Sequence, residues 1–244
     1  MQYILWSLLG LFVALIITMV IRTILAKPES FTQTDYTPVD FDEKTLAKNL
    51  SGAVQIPTVT VIKEGMSYEP FLEYHKYLEK TYPNIFANAE VTKINKYSLI
   101  IKVEGSDKKL LPGCFLAHQD VVPAPAEGWE VEPFSGAIKD GFVYGRGSQD
   151  MKGQMIAVLE ALESILKEGK KLNRSIYCCF GHDEQFTGKE GALNIVEHLD
   201  KKNIKFEYVI DEGGVVLDGG LIGVNGKIAL IGTCEKGYVD IGLE

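Results

Sequence analysis

The feature that most constrains this chain is a turn rich in cation-binding residues, which recurs four times at the ends of apolar or glycine-rich runs. Phe115-Leu116-Ala117 leads into His118-Gln119-Asp120, Cys179-Phe180-Gly181 into His182-Asp183-Glu184, and Val209-Ile210 into Asp211-Glu212-Gly213-Gly214. Gly145-Arg146-Gly147-Ser148-Gln149-Asp150 leads instead into a stretch of helical periodicity. In an α/β sheet the carboxyl ends of the strands share one rim. The four turns would therefore bring His118, Asp150, Glu184 and Asp211 or Glu212 together. Carboxylates beside an imidazole form a natural site for Zn²⁺ or a similar divalent ion. Each piece also has a plainer reading. Asp150 could cap the helix that follows it, Glu184 could be a solvated strand end, and the glycines could serve only turns. Neither glycine-rich run is a nucleotide-binding motif.

The segments between these turns alternate in type. The spacing predicts helices over 45–54, 69–82, 154–166 and 190–199, the first ended by the Ile56-Pro57 step. Phe71, Tyr74, Leu78 and Tyr82 share one face of the second helix. Strands are expected over 99–103, 114–117, 175–180 and 206–210, with the first two forming a hairpin or lying side by side. That alternation implies an α/β fold with a largely covered sheet. Cys114, Cys178 and Cys179 lie inside apolar runs and no CxxC pair exists, so they read as buried small hydrophobes. The net charge of -8 comes with no lysine or arginine cluster, which argues against a nucleic-acid partner.

Residues 3–21 are free of charge and apolar all round. A helix of that length rises about 28 Å, close to the hydrocarbon core of a bilayer. No basic residue precedes the stretch and it is longer than a signal-peptide core, so 1–27 reads as an uncleaved signal-anchor and 28–44 as a stalk. Arg22 and Lys27 would favour a cytoplasmic globular part. The sequons at Asn49 and Asn173 would permit glycosylation on the other side. The expectation is a single-pass membrane protein with a lumenal or extracellular catalytic part, or a secreted one if the segment is cleaved.

Over residues 117–240 the text AHQDVVPAPAEGWEVEPFSGAIKDGFVYGRGSQDMKG, then GHDEQFTGKEGA, VIDEGG and EKGYVD, resembles the co-catalytic zinc aminoacylase/carboxypeptidase family. It is similar to the carboxypeptidase S and N-fatty-acyl-amino-acid hydrolase branch. The resemblance implies a three-layer zinc-peptidase-like domain with a mixed sheet over 45–244, incomplete at its C-terminus and lacking the family's dimerisation domain. It implies that His118 ligates one zinc, that Asp120 orients that histidine, that Asp150 bridges two zincs before a cis peptide bond, and that Glu184 is the general base. Asp211 or Glu212 would be the acidic ligand of the His118 zinc, with the choice between them open. Gln185 stands where the family has a second glutamate that ligates the other zinc, and the family's distal histidine has no counterpart here. One zinc or none is therefore expected, and doubtful activity. The implied reaction is hydrolysis of the amide bond of N-acyl amino acids or short peptides with a free carboxylate. The alternative is a truncated, non-catalytic homologue that keeps the fold for partner binding.

Overall fold

The computed structural model describes residues 2–26, 41–60 and 67–234. Most of the expected stalk, and the EKGYVD stretch at 235–240, lie outside the described residues. The chain divides into two compact units, 1–41 and 42–244. The first holds α1 (Gln2–Leu25), a helix with no charge before Arg22 and none of its residues buried. It is long and apolar enough to cross a membrane, by length and composition.

In the second unit, α2 (Glu43–Val54) starts where Asp42 accepts hydrogen bonds from the N–H groups of Lys44 and Thr45. Next come α3 (Glu69–Thr81) and the short α4 (Pro83–Asn88), each with a proline in its first turn, where the missing N–H costs nothing. The strands are β1 (Ala89–Ile94), β2 (Ser98–Val103) and β3 (Gly113–His118), followed by a small hairpin of β4 (Ile138–Lys139) and β5 (Phe142–Val143). Then follow α5 (Lys152–Lys167), β6 (Ile176–Gly181), α6 (Ala192–Lys201) and β7 (Tyr208–Ile210). A second small hairpin, β8 (Val216–Asp218) with β9 (Lys227–Ala229), ends the described part.

The main sheet has the order β1-β2-β6-β3-β7. The β1, β2 and β6 pairings are antiparallel, while β3 runs parallel to both β6 and β7. The expectation of a mixed sheet is met, but the expected pairing of 99–103 with 114–117 is not. The strand β6 lies between them, and β2 pairs instead with β1 across the turn at Asn95-Lys96. All six residues of β6 are buried, as a strand covered on both faces requires. One core joins Leu99, Ile101, Cys178 and Phe180 to Tyr74 and Leu78 of α3 and to Met155 and Leu159 of α5. The opposite face packs Ile100, Cys114, Tyr177 and Cys179 against Ile195 and Leu199 of α6. The alternation along each strand thus builds helices on both faces of one sheet. Because β3, β6 and β7 run parallel, the turns after all three open on one edge.

Asn49, one of the two sequon asparagines, sits within α2 and donates its amide N–H to Glu160 at 2.6 Å, whereas Asn173 is exposed. Leu159 is fully buried in the larger core. Leu159→Ala is expected to remove about 2–5 kcal/mol of unfolding free energy in a urea titration. A loss below about 1 kcal/mol would contradict this packing.

Candidate metal centre

His118 is the last residue of β3 and is only 2 % exposed. Its Nδ1 donates to the backbone carbonyl of Asp120 at 2.8 Å. A carbonyl can only accept, so Nδ1 carries the proton and Nε2 is the atom that faces the cavity. Around Nε2 stand Asp150 Oδ1 at 2.9 Å, Glu184 Oε2 at 3.6 Å and Glu212 Oε1 at 3.8 Å. The turns after β3, β6 and β7 and the loop before α5 therefore converge as the spacing predicted. His118 and Asp150 are in direct contact.

Asp211 and Glu212 both line the cavity but are placed differently. The Asp211 carboxylate turns back to accept the N–H of Glu212 at 2.8 Å, and Glu212 reaches the imidazole. Asp150 does not cap α5: its N-cap position is Met151, which makes no side-chain capping bond, and the Asp150–Met151 peptide is cis. Asp120 is 0 % exposed. Its carboxylate lies 3.5 Å from His118 Nδ1 and accepts the N–H groups of Glu184 and Gln185 at 3.1 and 3.0 Å. It thereby fixes the turn that carries Glu184 as well as facing the ring.

His118, Glu184 and Glu212 each offer one donor atom, and these three atoms lie within 4.8 Å of one another. This corrects the expectation that Gln185 compromises the site and makes activity doubtful. The group of His118, Glu184 and Glu212 that gathers is intact, with no glutamine in place of a member. Gln185 instead points its amide Nε2 at the carboxylates, 3.1 Å from Glu184 Oε2 and 3.3 Å from Asp150 Oδ2. Nitrogen on an amide donates and offers no lone pair to a cation. One group of three donors, not two, forms among the described residues.

The donor set suits a divalent ion. Ligands about 2.0–2.2 Å from a tetrahedral centre stand roughly 3.3–3.5 Å apart. The 3.8 Å separation from Nε2 to Glu212 needs only a slight closure to match and the 2.9 Å separation to Asp150 a slight opening, while Glu184 stands at 3.6 Å. The electrostatics point the same way. Burial raises the pKa of Glu184; His118 opposes the rise, and the nearby Asp120 and Asp150 carboxylates add to it. Glu212 is raised for the same first reason, with Asp150 and Glu184 adding to it. Burial alone would lower the pKa of His118. The hydrogen bond and charge of Asp120, with Glu184 behind them, outweigh burial and raise it from 6.5 to about 9.

Sequence reasoning missed the supports of this site. Asp183 accepts the N–H groups of Glu190 and Gly191 at 2.9 and 2.8 Å and closes the loop after Glu184. The Gln119 amide donates to Tyr97 and Phe180 carbonyls at 2.8 and 3.0 Å and accepts from His75 at 3.0 Å, which locks the turn behind His118. Both residues stand beside a recognised one in the sequence, and only that adjacency could have marked them. A cavity of about 460 Å³ opens from His118, Glu184 and Glu212 and is otherwise mostly apolar, with Leu116, Ile195 and Phe206 in its wall.

Comparison with known proteins gives the same reading. Residues 114–230 match the model of peptidase family M20/M25/M40. The chain is 45% identical over 204 residues to the N-fatty-acyl-amino acid synthase/hydrolase of Xenopus tropicalis, covering 83% of this chain and 40% of that protein. It is 38% identical to carboxypeptidase S of Saccharomyces cerevisiae, covering 79% of this chain and 35% of that one. The chain thus spans about two-fifths of the length of these relatives. Among solved structures, an M20 family metallo-carboxypeptidase of Sulfolobus solfataricus superposes with a TM-score of 0.55 at 23% identity, over 72% of this chain and 41% of that one, a likeness of fold.

The raised His118 pKa sets a testable sign. A histidine whose folded pKa lies above its unfolded value stabilises the protein fully below about 6.5, and that stability is lost as pH rises through about 9. The melting temperature of the metal-free chain is expected to fall across that window. Saturating Zn²⁺ should abolish the fall by replacing the Nε2 proton. A metal-free chain whose melting temperature is flat between those limits would refute the assignment.

Proposed function

The chain belongs to peptidase family M20/M25/M40, in kinship with the N-fatty-acyl-amino acid synthase/hydrolases and carboxypeptidase S, and from this we propose that it is a metal-dependent hydrolase of amide bonds. The observation that carries the reading is the His118 Nε2 atom facing the Glu184 and Glu212 carboxylates at the mouth of a cavity. His118, Glu212 and Asp150 would hold one Zn²⁺. When bound, a divalent ion of this kind polarises the amide carbonyl and lowers the pKa of the attacking water.

The rest of the chemistry falls to the chain. Asp150, at 2.9 Å from Nε2, completes the ligand set and leaves Glu184 free to act as base. Glu184 takes a proton from the attacking water and returns it to the departing amine. Its upward-shifted pKa moves it toward the range in which a carboxylate both accepts and releases a proton near neutral pH. Asp120 holds the Glu184 backbone and keeps the imidazole of His118 oriented. Gln185, hydrogen-bonded to the Glu184 carboxylate, limits its swing. The products are a carboxylic acid and an amine-bearing remainder.

The substrate class proposed is an N-acyl amino acid or a short peptide with a free carboxylate. The names of the relatives favour it, and the apolar cavity wall suits an uncharged acyl group. In this reading α1 is a membrane signal-anchor, supported by its length and the absence of charge before Arg22, and the second unit works on the lumenal or extracellular side. Purified full-length protein with added Zn²⁺ is expected to hydrolyse members of a panel of N-acyl amino acids and dipeptides. Glu184→Gln should lower kcat by about 10²–10⁴, and a chelator should abolish turnover. Turnover no higher than that of the variant across the panel would refute the proposal.

A further inference from the structure

Lys152 is a charged side chain buried to 0 % exposure, and the chemistry described above makes no use of it. It opens α5, two residues after Asp150. Its Nζ donates to the carbonyls of Ala53 and Ile56 at 2.9 and 2.7 Å. These lie at the C-terminal end of α2, where unpaired carbonyls collect and the helix dipole is negative. The Tyr74 ring of α3 covers the same nitrogen, 4.6 Å from ring centroid to Nζ. A buried ammonium is costly unless paired and hydrogen-bonded, and each of these contacts offsets that cost.

The contacts also close a path between two ligands. The segment that follows α2 runs beside the turn after His118. Thr58 Oγ1 donates to the Gln119 carbonyl, the Val121 N–H donates to the Thr58 carbonyl at 3.0 Å, and the Thr60 N–H donates to the Val121 carbonyl at 3.1 Å. On the other side, the Lys152 backbone N–H donates to the Gly147 carbonyl at 3.0 Å, which closes the turn that presents Asp150. Gly147 has a φ of +85°, and a Cβ there would meet Val121 Cγ1 at 2.6 Å, so the turn is seated on the residue just past Asp120. Resting on the metal-site reading above, we propose that Lys152 is a positioning residue, which fixes the Asp150 turn to the end of α2 and, through Thr58 and Thr60, sets the distance from Asp150 to His118.

Two features make the bridge robust. It needs only two N–H donors, which lysine supplies whether charged or neutral. Burial pulls its pKa down to about 7 while Asp120 pushes it back, and both protonation states keep both bonds. The stem is also fully buried.

The test uses Co²⁺ binding to the full chain, followed by titration and by the visible d–d spectrum. Lys152→Met keeps the stem and removes the donors. It is expected to weaken Co²⁺ binding at least tenfold and to alter the spectrum, as loss of a support behind metal ligands does by about 10–100-fold. Leu159→Ala, in the same helix, destabilises the core without touching the bridge and should bind Co²⁺ like the parent. Thr58→Val removes the next link and should weaken binding in the same direction, and it reports on the bridge if Lys152→Met does not fold. Parent-like Co²⁺ affinity in both Lys152→Met and Thr58→Val overturns the proposal, as does an equal loss in Leu159→Ala. A parent chain that takes up no Co²⁺ overturns the metal-site reading itself, and this inference with it.

Discussion

Mutual repulsion among carboxylates is the constraint to which the rest of this structure answers. Asp120, Asp150, Glu184 and Glu212 all approach one imidazole, and burial first, with the neighbouring carboxylates adding to it, raises the pKa values of Glu184 and Glu212. Such a cluster persists only where the backbone leaves it no room to disperse. Parallel β3, β6 and β7 supply three of the turns from one sheet edge, and buried hydrogen bonds then fix each turn. Asp120 pins the Glu184 turn, Asp183 closes the loop after it, and Gln119 locks the turn after His118. The energy that holds the acids together comes from the covered sheet and its helices, not from the acids themselves.

Much of this was legible in the sequence, for a physical reason. Side chains that bind ions cannot sit inside apolar strands, so they collect where strands stop, and the stops are visible as changes of residue type. His118, Asp150, Glu184 and Glu212 were found that way and do meet. Strand partners were less legible. The apolar character of Leu99–Val103 and Gly113–Ala117 declares burial but not neighbour, and the strand inserted between them, β6, comes more than fifty residues later in the chain. The strand β1 escaped notice because its sequence, AEVTKI, mixes charges into a half-exposed edge. Lys152 escaped because a lysine in a polar turn ordinarily reads as solvated. Nothing local in the sequence reveals that two helix-end carbonyls from residues 53 and 56 will meet it.

Gln185 shows how a correct observation on sequence can mislead on structure. It does stand beside Glu184, and as a neutral residue it adds no charge to attract a cation. Position in a motif does not say which atom a side chain presents. Here the amide nitrogen faces the carboxylates, so the residue relieves their repulsion as a donor instead of failing as a ligand. The donor group forms from its neighbours: His118, Glu184 and Glu212 gather without it.

The charges are also ordered from the interior outward. Lys152 is fully buried, held by helix-end carbonyls. Asp120 comes next, close enough to raise the Lys152 pKa and to bond the His118 turn and the Glu184 turn at once. His118 follows, raised to about 9 by Asp120, and beyond it stand the partly exposed carboxylates of Asp150, Glu184 and Glu212. Positive and negative layers alternate, so each stabilises the next, and the outermost layer is negative and opens on the cavity. A cation there completes the alternation. The ring proton on Nε2 can stand in for it only partly, since one proton serves one atom while an ion serves several donors at once. The arrangement is therefore built to exchange that proton for a metal, and its tightness is set from beneath by residues that never touch the metal.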